Sequence, residues 1–332
     1  MAGGYEFPEP YAELTMRTDS FAYSMASGQW RELAPLEIPG YDGVIRAAGT
    51  WTGSAWEGLA FPCPSGPVPD ELIYDTCAKS VVGLRWDPST GWSTSAASPA
   101  PDDLGRGLHF AGVTSSSEII ITAPLGFFTR PLVLGVDVGW IYTPWPPEAA
   151  PIMGDAACLV GDQLLTLPTP ASVSVLSLAD LGATDRTLAE SASTSEPQAF
   201  CRPGEALFVQ TGFEQPILRV LGRETSSLPT PTAIGDANTY VSVSSELVDV
   251  GSGLVSLGID SSWFLNPETG ELTPLSNGPS MMVSSTVWTG DSLIGSPVSK
   301  DQNRWFAFTP MNGSWPDSEA LAFPEPLPLP VN

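Results

Sequence analysis

The 332-residue chain carries 37 acidic side chains against 13 basic ones, a net charge of −24, and its lysines are Lys79 and Lys300. Such a field repels polyanions, and no cluster of Lys and Arg offers the footprint that phosphate binding needs, which excludes nucleic acid as a partner. Charge-free apolar stretches such as residues 119–129 fall well short of the roughly 20 residues that a bilayer-crossing helix requires, so no transmembrane segment is expected.

The 32 glycines and 34 prolines punctuate short runs rich in Val, Ile, Leu, Phe and Trp, which is the rhythm of strands and turns. Met1-Ala-Gly-Gly-Tyr has neither the basic region nor the apolar core of a signal peptide. Residues 11–17 read as a strand, and a hairpin runs from Tyr23 to Trp30 through Gly28. Thr50-Trp51-Thr52-Gly53 turns a second hairpin, with Trp56 on the returning strand. An insertion over 59–80 follows, bracketed by Cys63 and Cys77; a disulfide closing that loop stabilises the fold by about 3 kcal/mol in the chain-entropy model.

Trp86-Asp87-Pro88-Ser89-Thr90-Gly91-Trp92 reads as a tight hairpin, because Pro presets φ and Gly accepts a positive φ. His109, the single histidine, stands seven positions before a hairpin at Ser116, the register of Arg46 before Gly53. A looser hairpin spans Leu134 to Trp140 through Gly139. Trp145, in Tyr142-Thr143-Pro144-Trp145-Pro146-Pro147, is off the strict register and is expected, like Trp56, to offer an exposed aromatic contact. Further turns are read at Gly161, Gly182, Gly204, Gly222, Gly251, Gly270, Gly290 and Gly313. The segment 319–323 is expected to supply the missing strand of the first sheet, and the Pro-rich residues 324–332 form a tail able to adopt polyproline II.

Two hairpin types therefore alternate, which makes four strands per unit, and both series recur about every 45 residues. Each series stretches once, at the insertion. A four-stranded sheet of this size cannot hide both faces alone, whereas stacking successive sheets around an axis buries them. The expected fold is all-β: a single domain over 1–332 forming a seven-bladed β-propeller of four-stranded antiparallel blades, or a six-bladed one if residues 1–40 form only a cap.

The Trp-Thr-Gly hairpins, the Asp/Asn-Pro-x-x-Gly turns and the aromatic residue that follows resemble Kelch repeats, the family that includes the propeller domain of galactose oxidase. The resemblance covers almost the whole chain, although the Gly-Gly pair that usually ends the second Kelch strand is absent. It does not carry the copper chemistry, because one histidine cannot supply the paired His and Tyr ligands of that site. No cofactor or metal is expected.

In this register the mouths of the innermost strands form the binding face. Arg46, Arg106, His109 and Arg202 are expected near one end of the channel, a cationic spot suited to a carboxylated ligand; the alternative is that they pair with neighbouring acids. Cys158 and Cys201 occupy equivalent positions of adjacent inner strands, which at one sheet spacing of about 10 Å puts them beyond disulfide reach as two buried thiols, although a slip of one residue would allow a bond. No Gly-x-Ser-x-Gly elbow or Asp-x-Asp-x-Asp-Gly calcium loop is present. The reading is a non-catalytic binding or scaffold module, extracellular or in the cell envelope, probing a protein or carbohydrate ligand as a monomer. The alternative is a glycan-active hydrolase or lyase with its site at the channel mouth.

Overall fold

The computed structural model describes residues 5–6, 15–16, 20–24, 29–66, 68, 72–101, 107–132, 139–146, 157–169, 172–187, 198–210, 217–222, 232–233, 247–257, 262–269, 271–275, 283–288, 293–297, 305–308 and 320–321. β1 (Tyr5–Glu6) pairs with β2 (Thr15–Met16), and β3 (Ser20–Ser24) pairs with β4 (Gln29–Leu33). The first larger sheet runs β5 (Tyr41–Trp51), β6 (Trp56–Pro64), β7 (Ser80–Asp87) and β8 (Gly91–Thr94), and β9 (Ser98–Pro99) also pairs with β7. A short helix, α1 (Ile73–Cys77), lies between β6 and β7.

Four-stranded sheets follow in the same sequential antiparallel order. The second is β10 (His109–Val113), β11 (Glu118–Ala123), β12 (Gly126–Pro131) and β13 (Ile141–Pro144). The third is β14 (Ala157–Val160), β15 (Gln163–Thr169), β16 (Ser172–Ser177) and β17 (Ala183–Thr187). The fourth is β18 (Gln198–Arg202), β19 (Glu205–Gln210), β20 (Ile217–Gly222) and β21 (Thr232–Ala233). The fifth is β22 (Leu247–Asp249), β23 (Leu254–Leu257), β24 (Ser262–Leu265) and β25 (Leu272–Leu275). The sixth is β26 (Val283–Trp288), β27 (Leu293–Pro297), β28 (Trp305–Phe308) and β29 (Ala320–Leu321).

Turns fall at the expected Gly53, Gly91, Gly161, Gly204 and Gly251, whereas the expected turns at Gly28, Gly270, Gly290 and Gly313 lie outside the described residues. Gly53 and Gly91 hold φ of 93° and 84°, a region closed to most side chains, and Gly161, Gly204 and Gly251 also take positive φ. Two expected turn positions shift by one residue: Ser117, not Ser116, and Leu181, not Gly182, carry the left-handed backbone. The insertion is also narrower than 59–80, because the β5–β6 ladder extends to Tyr41↔Pro64 and β7 begins at Ser80.

Two expectations are overturned. The C-terminal segment does not complete the first sheet: β29 pairs with β28 through Trp305↔Leu321 and Phe306↔Ala320, and so closes its own unit. Cys158 and Cys201 are bonded, with an S–S distance of 2.08 Å and Cα atoms 5.0 Å apart. The 10 Å separation applies to sheets stacked face to face, whereas the first strands of these two sheets approach far more closely. The expected Cys63–Cys77 bond is present, with its Cα atoms 4.3 Å apart. Among the described residues no cysteine is free, and two disulfides are consistent with an extracellular protein. No described helix is long and apolar enough to cross a membrane.

The chain divides into two compact units, Met1–Thr187 with Cys201–Ala206, and Leu188–Phe200 with Leu207–Asn332. In the first unit, β10 lies against β5 on one side and β14 on the other. The three consecutive isoleucines of β11 show why its apolar run has no polar alternation. Ile119 and Ile121 join Leu59, Phe61 and Val81 of the first sheet, whereas Ile120 joins Leu159, Leu164 and Leu176 of the third. A strand covered on both faces needs apolar side chains on both. Stacking is close enough that Gly83 of β7 has no room for a Cβ, because Trp140 Cδ1 and Nε1 would lie 2.9 Å from it. In the second unit, Leu207 and Val209 of β19 pack with Leu254 and Leu265 of the fifth sheet.

Candidate functional site

Side-chain bonds near the first-strand turns align the three large sheets of the first unit. Glu57, one residue into β6, reaches Arg130 near the end of β12, with Nε 3.3 Å from Oε2. Ser115, in the β10–β11 turn, donates to Asp162 Oδ1 in the β14–β15 turn at 3.0 Å. The hairpin turns of all three sheets therefore lie along one edge, the turn edge, and the β6–β7 and β11–β12 connections lie along the opposite loop edge.

On the loop edge, Asp42 accepts bonds from Ser65 Oγ at 2.7 Å and from the Gly66 amide at 2.9 Å, anchoring the disulfide-closed insert. Those bonds, the Ser65 hydroxyl first, hold its carboxyl below the usual range. His109 opens β10, half-buried and paired with Thr122, whose hydroxyl donates to the His109 carbonyl at 3.4 Å. Arg46 is exposed on β5, opposite Phe61, on the strand beside β10. Arg202 stands at the other end of its strand, where it pairs with Glu205 across the β18–β19 turn, Nη1 3.2 Å from Oε1. Arg106 lies outside the described residues. Arg46 and His109 thus share neighbouring strands, and Arg202 belongs to a turn.

Of the two tryptophans singled out from sequence, Trp145 is in the core. It is 4% exposed, its Nε1 donates to the Pro124 carbonyl at 3.0 Å, and its ring lies 5.2 Å from that of Phe127. It left the repeat register because it closes the space beneath the β11–β12 turn. Trp56 instead belongs to a row that crosses the first sheet at the turn edge, through the ladder pairs Trp51↔Trp56, Trp56↔Trp86 and Trp86↔Trp92. Their rings interleave: Trp51 is 6.1 Å from Trp86, Trp86 is 6.5 Å from Trp92, and Trp92 meets Trp56 edge-on at 6.2 Å. Trp92 Nε1 donates to Ser20 Oγ at 3.0 Å, fixing the far end of the row.

Trp51, at the end of β5, is 50% exposed. In the sequence it reads as a packing residue because it sits at a repeat position; the signal available was its place at the last rung before a turn. The equivalent rung of the second sheet carries Val113, 43% exposed, and Ile141 at the start of β13 is also exposed. Carboxylates stand at turns of the same edge. Asp87 accepts from the Ser89 hydroxyl and amide, and Asp180 accepts from the Gly182 amide at 3.0 Å. Those bonds hold both acids below their ordinary range, so they stay ionised at neutral pH and are poor proton donors. Glu118 and Asp162 lie on the same edge. Arg85 and Arg130 both bind Glu57, and Arg130 also lies over the Trp140 ring at 5.9 Å. A rigid indole with fixed negative charge around it attracts cations through its face and through the carboxylates together. Among the described residues, no group of three or more His, Cys, Asp or Glu is placed to hold a metal ion.

No family model and no curated protein matches the chain. Solved structures do. The β-propeller domain of Cps50 (Swd1) from Myceliophteria thermophila is 12% identical, with a TM-score of 0.56 over 93% of this chain and 97% of that one. A putative 6-phosphogluconolactonase from Bacteroides uniformis is 12% identical, with a TM-score of 0.52 over 91% and 92%. A catalytically inactive virginiamycin B lyase from Staphylococcus aureus with quinupristin is 11% identical, with a TM-score of 0.51 over 89% and 95%. At this level of identity the likeness shows the fold alone, which is a β-propeller.

Proposed function

We propose that this chain is a non-catalytic binding module, exported and monomeric, whose sheets form one Kelch-type propeller of seven blades and whose ligand is a protein. The observation that carries this reading is Trp51: a half-exposed indole held in a row of four tryptophans on a sheet locked by Glu57, Arg85 and Arg130. A large side chain fixed before its partner arrives loses little entropy on binding, and tryptophan is enriched among the residues that dominate interface energetics. Asp87 and Asp180, at turns of the same edge, are held ionised, which suits recognition and not proton donation.

The test is selection of a displayed random-peptide library on the folded protein, in parallel with a glycan array. Trp51-dependent peptide ligands are expected, with affinity falling at least about tenfold in Trp51→Ala. Peptides that bind wild type and Trp51→Ala equally, or a ligand set made only of glycans, overturn the proposal.

A further inference from the structure

Resting on that reading, we infer that the turn edge of the first unit docks a cationic, Arg- or Lys-bearing segment of a partner protein, with apolar side chains between its charges. The edge presents apolar surface at two neighbouring inner strands, through Trp51 and Val113 at equivalent rungs. Large apolar side chains left exposed at the edge of a folded domain are candidates for an interaction surface. Their surroundings set the sign of the partner.

Asp87 and Asp180 are kept ionised by turn amides and hydroxyls, and Asp162 and Glu118 stand exposed or half-exposed beside the β10–β11 and β14–β15 turns. Of the guanidiniums on this edge, Arg130 is bound to the buried Glu57, and Arg85 is shared between Glu57 and Asp87, its Nη2 3.6 Å from Asp87 Oδ2, which leaves Asp162, Asp180 and Glu118 as the carboxylates for a partner. The chain as a whole carries a net charge of −24, so a basic segment is drawn to it from a distance and an acidic one is repelled. A guanidinium seated on the face of Trp51 gains from the ring and from the acidic field of the chain. Neutral sugars use the ring but none of this charge, which is why a protein segment is favoured over a glycan.

The experiment uses the full-length protein with two synthetic 12-residue probes, one alternating Arg with Leu and one alternating Glu with Leu, read by fluorescence anisotropy at low and high salt. The Arg peptide is expected to bind, to weaken about tenfold as the salt is raised, and to weaken about tenfold again in Trp51→Ala, with Trp51→Phe recovering part of the loss. Asp162→Asn with Asp180→Asn is expected to lower affinity a few-fold and flatten the salt dependence. Equal binding of both probes, binding of the Arg probe that ignores Trp51, or no binding of either overturns the inference. Library selection separates the two levels: Trp51-dependent ligands without positive charge sink the cationic partner and leave the protein-binding reading standing.

Discussion

Between the first and second sheets of the first unit, Glu57 of β6 meets Arg130 of β12; between the second and third, Ile120 of β11, on the same rung as Glu57, packs with Leu176 of β16. The backbones at the two seams are alike. Glu57 lies across from Arg85 in its sheet, and Ile120 lies across from Thr129 in the next. In the third and fifth sheets the corresponding residues are Leu164 and Val255, both buried. Glu57 is 6% exposed, so the repeat imposes burial at this position whatever its chemistry. An apolar residue meets that demand by packing. A carboxylate meets it only if guanidiniums replace its water, here Arg85 from the same sheet and Arg130 from the next. The ionic seam is thus conditional on its partners in a way the aliphatic seam is not.

The largest effect should follow from breaking that condition. Glu57→Leu leaves Arg130 buried without its carboxylate and is expected to cost about 3–5 kcal/mol in urea unfolding. Copying the second seam into the first, with Glu57→Ile, Arg85→Thr and Arg130→Leu together, should recover most of the loss or exceed wild type, since buried ion pairs replaced by packed apolar groups are often neutral or stabilising. A triple variant no more stable than Glu57→Leu would show that the two seams are not interchangeable and would end the comparison.

A disulfide ties Cys158 of β14 to Cys201 covalently, and removing it ranks next. Cys158 and Cys201 are separated by 43 positions and Cys63 and Cys77 by 14, so the chain-entropy model gives about 4 kcal/mol for the first bond and about 3 kcal/mol for the second. Cys158→Ala with Cys201→Ala should therefore lower the unfolding midpoint more than Cys63→Ala with Cys77→Ala. The reverse order would mean that the insert, not the seam between β14 and β18, is the part that the unfolded chain most needs tethered.

Seams and turns also differ in how far the sequence discloses them. Turns are local: Gly53, Gly91, Gly161, Gly204 and Gly251 carry their positive φ in the residue itself, and the paired Cys63 and Cys77 bracket a visible interruption of the repeat. Packing between sheets is not local. A uniform stacking distance keeps Cys158 and Cys201 apart, but their strands converge; Trp145 leaves the register, yet leaving it leads into the core and not to the surface. Glu57 gives no sign at all, since a lone acid in an acidic chain looks like surface until Arg130 arrives from another sheet. The candidate site was legible only in part. Trp56 pointed to the row, but the exposed member, Trp51, was hidden by fitting the repeat too well.

The smallest effect concerns exposed carboxylates, the counterpart of buried Glu57, and here too two sheets use one geometry. Asp87 caps the turn Asp87-Pro88-Ser89-Thr90-Gly91 by accepting the Ser89 amide at 2.8 Å; Asn266 caps Asn266-Pro267-Glu268-Thr269-Gly270 by accepting the Glu268 amide at 2.9 Å. The turn needs an acceptor oxygen and does not need the charge. Asp87 differs in that its bonds, led by the Ser89 hydroxyl, lower its pKa from 3.8. A carboxyl whose folded pKa lies below its unfolded value adds stability above the unfolded pKa and loses it as pH falls through the folded one. Asp87→Asn should therefore lower Tm slightly at neutral pH, by less than either disulfide variant, and the gap to wild type should narrow in acid, as the pH falls through the lowered folded pKa and the aspartate is protonated. Thermal unfolding of the two proteins across that range decides it: a gap that persists or widens in acid would mean that Asp87 contributes through shape alone, as Asn266 does.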